Sequence, residues 1–123
     1  SGGEEAANDA DEEFHRTIAE ASNNAAMVHT VKSLWQMREN IPEVKATYAA
    51  VCMHDAASRT AEHEAIFFAL RDRDPSAARN AMREHFHRLI EAMLDATERM
   101  AMEELQERAS KSRERFAAST KIG

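Results

Sequence analysis

The chain has 123 residues, 43% of them hydrophobic, with three glycines, two prolines and a formal charge of −6. That length fits one domain with one core, and the apolar content argues against wholesale disorder. The net acidic balance argues against unaided binding to DNA, whose phosphates need clustered Lys and Arg.

Cys52 is the single cysteine, so an internal disulfide is excluded, a reducing, cytoplasmic setting is expected, and an inert buried thiol is the simplest reading. No apolar run approaches the ~20 residues of a membrane span, and no signal peptide is visible. The opening Ser1-Gly2-Gly3, without Met, reads as the cut end of a longer protein.

Residues 1–8 carry no periodicity and are expected to fray. A first helix is predicted from Asp9 to Ser22, with Asp11, His15, Ile18 and Ser22 on its inward stripe at spacings of three and four. Asn23-Asn24 breaks that pattern and can cap the next helix. The second helix runs to Asn40, with Met27, Val31, Leu34, Trp35 and Arg38 in its stripe. Pro42 suits the first turn of a third helix, which carries Val44, Tyr48, Val51 and Cys52. Residues His54–Ser58 read as a short connection, with Ser58 or Thr60 as the next cap.

The fourth helix places His63, Ile66, Phe67 and Leu70 inward. Asp74-Pro75 is a start signal, Asp as cap and Pro at the first helical position. The fifth helix carries Ala78, Met82, His85, Phe86, Leu89, Met93 and Met100. After Thr97 the chain is densely charged over a thin stripe of Ala101, Leu105, Ala109 and Phe116. It reads as a solvated extension of the fifth helix, with a partner-binding arm as the alternative. No strand-like alternation appears. The fold class is all-α, an antiparallel helical bundle. Residues 9–118 form the domain and 119–123 a frayed tail.

Four side chains stand out as metal ligands: Asp11, His15, His63 and His85. Asp11 and His15 are four apart and share one face. His63 and His85 lie eleven residues on either side of Asp74. In an antiparallel pair each sits ~16 Å from the turn, at ~1.5 Å per residue, so the two are level. Alone, each histidine is more often a hydrogen-bonded core or boundary residue. Together, three buried imidazoles each need a partner, and a shared metal supplies one to all three. His87, about 200° around the helix from His85, points away. His29 is similarly displaced, and His54 falls near a helix end.

Three imidazoles and a carboxylate suit a single divalent ion, Zn or Ni first, with Mn, Fe and Co as further candidates. Glu12-x-x-His15 offers a rival pairing of the kind di-iron bundles use, but those need a second such motif. Arg38 continues an apolar stripe where a charge is unexpected. It is a candidate grip for a carboxylate ligand, against a boundary Arg that pairs with Glu43 or reaches water. Trp35, Tyr48 and the methionines read as packing residues.

The run Asp11-x-x-Phe14-His15 with Ala19-Glu20-Ala21-Ser22-Asn23 resembles the C-terminal effector (FCD) domain of GntR-type bacterial transcription regulators, FadR subfamily. So does Glu62-His63-x-x-Ile66-x-x-Ala69-Leu70, with Arg73-Asp74-Pro75 and Ala77-Ala78-x-x-Ala81-Met82-x-x-His85. The resemblance covers residues 9–95. It implies that Asp11, His15, His63 and His85 bind a divalent metal whose coordination a small carboxylate completes. Leu34-Trp35-Gln36-Met37-Arg38-Glu39-Asn40 with Pro42 is similar to regulators of hexuronate catabolism, which implies a sugar acid as effector and Arg38 as its contact.

The family's winged helix-turn-helix domain and the helices before the Asp motif are not in this sequence. DNA binding is therefore expected only through an absent N-terminal domain. The expected function is ligand sensing and homodimerisation in a regulator, without catalysis. The alternatives are a mononuclear metalloenzyme, for which Glu12 or Glu62 would have to serve as general base, and a metal-free dimerisation module.

Overall fold

The computed structural model describes residues 2–54 and 56–121, with side chains of residues 52–54 left aside. The expectations for Cys52 and His54 therefore lie outside the described side chains. Among the described residues there are five α-helices and no strand: α1 Gly2–Ala21, α2 Ala25–Asn40, α3 Pro42–His54, α4 Ala56–Arg71 and α5 Pro75–Thr120. The all-α expectation holds.

The chain divides into two compact units, residues 1–46 and 47–123, with the boundary inside α3. In the first unit α1 packs on α2, and in the second α4 packs on α5. Each is a hairpin closed by a three-residue turn, which forces its helices antiparallel. The buried apolar residues are small or few: Ala19 in the first unit, and Val51, Ile66, Ala69 and Ala96 in the second.

The turns are built by local chemistry. After α1, Asn23 adopts φ 53°, a left-handed conformation that Asn tolerates better than most residues. Asn24 then caps α2, its Oδ1 accepting from the backbone N–H of Ala26 at 3.0 Å and Met27 at 3.2 Å. Truncation by Asn24→Ala should cost about 1 kcal/mol, read as a lower urea midpoint with an unchanged slope; an unchanged midpoint would mean that the cap is replaced by water without loss.

Helix α4 ends in a Schellman motif. The N–H of Asp74 reaches back to the Ala69 carbonyl at 3.0 Å, and that of Arg73 to Leu70 at 3.1 Å. Arg73 takes the left-handed position, φ 54°. Asp74 then caps α5 through Ala77 N–H at 3.0 Å, and Pro75 opens the helix, as its fixed φ favours.

Three boundaries differ from the sequence reading. Helix α1 opens at Gly2 rather than Asp9. Glu4 and Glu5 lie in its first turn, where the helix dipole favours negative charge, and Ala6 and Ala7 propagate the helix. The residues expected as a connection, 56–58, belong to α4 instead. Thr60 is inside that helix, its hydroxyl bonding back to the Ala56 carbonyl at 3.0 Å rather than capping. Helix α5 continues to Thr120, beyond the expected onset of fraying at 119, and every residue from 97 to 121 is exposed. No helix among the described residues is long and apolar enough to cross a membrane.

Candidate functional site

In the first unit, the four-residue spacing of Asp11 and His15 puts both on one face of α1, with His15 Nε2 3.4 Å from Asp11 Oδ1. Helix α2 brings Arg38 to the same carboxylate. Its Nη1 donates to Asp11 Oδ2 at 3.2 Å and its Nη2 to Asn8 Oδ1 at 3.3 Å. Both charged partners are buried, Asp11 at 8% and Arg38 at 7% exposure. Burial by itself would raise the Asp11 pKa. The hydrogen bond and charge of His15, with the charge and hydrogen bond of Arg38, outweigh it and hold the carboxyl at about 2.

Trp35 completes this cluster. Its ring lies 5.6 Å from the His15 ring and 4.9 Å from the Arg38 guanidinium carbon, which places a cation over an aromatic face. Asp11 and Trp35 each lie twelve residues from Asn23, so equal counting from the turn would set them level, with Arg38 further along. The packed hairpin instead sets Trp35 against His15 and Arg38 against Asp11, a slip of about one turn. Arg38 is buried and bonded to Asp11 and Asn8, so it does not reach out to water as a boundary arginine would. Glu12, the rival partner for His15, lines a cavity of about 370 Å³ with Glu4, Glu5, Asn8, Asp9, Glu39 and Lys45.

In the second unit, the symmetry about Asp74 does what the counting predicts. The His63 and His85 rings meet edge to face, centroids 4.9 Å apart and planes at 68°. His85 is 3% exposed. Its Nδ1 lies 2.7 Å from Glu62 Oε2, and Arg88 Nε bonds the other oxygen of the same carboxylate. Partial burial acts to raise the Glu62 pKa, but Arg88 and His85 prevail and lower it. An ionised carboxylate only accepts, so His85 Nδ1 must carry the proton. In the neutral ring, that leaves Nε2 as the nitrogen able to ligate a metal.

Glu62 and Arg88 are the residues that sequence reasoning missed. The sequence offers Glu62 a chemical role only as a general base in the metalloenzyme alternative. The signal was present: Glu62 adjoins His63 on α4, and Arg88 follows His85 by three on α5, so a hairpin that pairs the histidines also pairs their neighbours. His87 is exposed on the far face and lies 3.3 Å from Glu91 one turn on, as its displacement from His85 required. His29 is exposed too.

Over 88 residues the chain is 32% identical to the Uxu operon transcriptional regulator of Escherichia coli (strain K12), an alignment covering 69% of this chain and 34% of that protein. The chain thus spans about a third of the length of that curated relative. No solved structure matches. The FCD domain model matches residues 1–88, a span that contains Asp11, His15, Arg38, His63 and His85, and the chain belongs to the FCD domain family.

Proposed function

We propose that the chain is the effector-sensing and dimerisation domain of a cytoplasmic bacterial transcription regulator of the GntR family, FadR subfamily. In this reading Asp11, His15, His63 and His85 hold one divalent ion, with the histidines as its nitrogen donors. The ion attracts the carboxylate of a small metabolite, with a sugar acid the leading class. The likeness to a Uxu operon regulator supports that class.

One observation carries the reading: a buried His85 whose Nδ1 is engaged by a carboxylate, with a second imidazole 4.9 Å away. Metal-bound histidines commonly donate their other ring nitrogen to a carboxylate, which fixes tautomer and orientation. The donor set of imidazole and carboxylate fits Zn, Ni, Mn, Fe or Co. Arg38 steers the Asp11 carboxylate and offers a cation to an incoming anion. Effector binding then biases one helix arrangement, provided its affinity differs between the two, and DNA is reached through a separate domain.

Elemental analysis of protein purified without a metal-affinity column, followed by calorimetric titration of sugar acids into loaded and chelator-stripped samples, tests the proposal. One metal per chain with metal-dependent carboxylate binding is expected. A metal-free protein whose stability ignores chelation would leave a helical dimerisation module, and turnover of a carboxylate or ester would favour a metalloenzyme.

Glu62→Gln should weaken metal binding by roughly 10–100-fold while leaving the stoichiometry intact. A competition titration with a chelating dye reads this directly. Unchanged affinity would reduce Glu62 to an ion-pair partner of Arg88.

A further inference from the structure

We propose that the exposed stripe of α5 docks against α5 of a second copy of this chain, antiparallel, with the two-fold axis at Leu105. The FCD match ends at residue 88, whereas α5 runs on to Thr120. This surface lies outside the matched region and does not depend on the metal site.

The stripe comprises Leu94, Glu98, Ala101, Leu105, Ala109, Ser112 and Phe116. Stepping by four, three and four in alternation, these residues stay within about 40° of one line along the helix at ~100° per residue. Its large members are uncovered: Leu94 is 64% exposed, Leu105 60% and Phe116 71%. Ala96, fully buried, marks the packed face of α5, about 180° from the stripe. Packing within the second unit therefore leaves the stripe open. A lone helix gains little stability without an apolar face to bury. The pairs Arg108–Glu104 at 3.0 Å and Lys111–Glu107 at 3.1 Å add only a few tenths of a kcal/mol each.

Two features choose the occupant. The first is charge. Residues 98–107 hold four acids and one base, while residues 108–121 hold five bases and one acid. A parallel copy sets like against like, and an antiparallel copy sets acid against base. The second is spacing. About Leu105 the stripe is palindromic, at offsets of four, seven and eleven residues in both directions. An antiparallel second copy therefore brings Leu105 onto Leu105, Ala101 onto Ala109 and Leu94 onto Phe116. On the flanks, Glu104 meets Arg108 of the second copy, and Asp95 meets Arg113. Small residues on either side of a central leucine allow close approach of the two helices.

The test uses the full chain. Sedimentation velocity across a concentration series should show a dimer that Leu105→Glu weakens by about tenfold or more, with circular dichroism unchanged because the site is exposed. Glu104→Arg should weaken the dimer, and Glu104→Arg with Arg108→Glu should restore it. In a Cys52→Ser background, mixed Ala101→Cys and Ala109→Cys chains should crosslink to each other rather than to themselves.

A monomer at every concentration overturns the proposal and leaves a solvated helix. A dimer indifferent to Leu105→Glu overturns it in favour of another face, and self-crosslinking of Ala101→Cys overturns the antiparallel direction. Metal content of Leu105→Glu, measured separately, reports on the metal reading whichever result is obtained.

Discussion

His63→Ala and His85→Ala should each abolish stoichiometric metal loading, while His87→Ala leaves it intact. An ion present at 100 to 1,000 times its dissociation constant stabilises the native state by roughly 3–4 kcal/mol. For a domain of this size the melting temperature of either ligand variant should then fall by on the order of 10 °C in excess metal. His87 is the internal control. It is also a helical histidine, two residues from His85, yet it faces solvent beside Glu91, and such surface pairs contribute little. Elemental analysis and thermal melts of the three variants, with and without chelator, make the comparison. The same small loss in all three, or a drop that persists after chelation, would return His63 and His85 to a packing role.

Arg38→Ala should destabilise the metal-free chain by about 3–5 kcal/mol, the usual cost of leaving one buried charge without its opposite. Asp11 would keep a negative charge at 8% exposure with its guanidinium partner gone. Arg38→Met combined with Asp11→Asn should be closer to wild type than either single substitution, because a matched apolar and neutral pair carries no uncompensated charge.

The pH dependence follows from the direction of the shift. The Asp11 pKa is depressed from 3.8 to about 2 in the folded chain. Its contribution is therefore complete above the unfolded value and is lost as pH falls through the folded one. His15 supplies the larger part of that depression and Arg38 the rest, so Arg38→Ala should move the onset of acid unfolding only modestly, to higher pH. Urea titrations at neutral pH and at pH 3 would read both effects. A single variant within 1 kcal/mol of wild type at neutral pH would mean that water reaches Asp11 once the guanidinium is gone.

The helical hairpins were legible because their signals are local. Asn24 and Asp74 are cap residues with free side-chain oxygens, and Pro42 and Pro75 open helices where their missing N–H costs nothing. The level placement of His63 and His85 needed only a rise per residue and a turn position. Boundaries were less legible. Gly2 and Gly3 argue against a helix by propensity, yet Glu4, Glu5 and the alanines behind them carry α1 through both. Helix α4 starts before Ser58 and Thr60, the caps expected from the sequence, and the Thr60 hydroxyl instead bonds back to the Ala56 carbonyl.

The sequence by itself determined the all-helical class, the turns at Asn23 and Asp74 and which side chains share a helix face, since these depend on periodicity and backbone chemistry within a few residues. It also placed Asp11 and His15 on one face, with Glu12 left as a rival, and turned His87 away from His85. Only the tertiary structure decided that Arg38 rather than Trp35 meets Asp11 across the first hairpin. That choice turns on one helix sliding by a single turn against another. That slide changes no local preference, but it decides which buried charge finds its partner, and desolvation makes the mismatched alternatives costly.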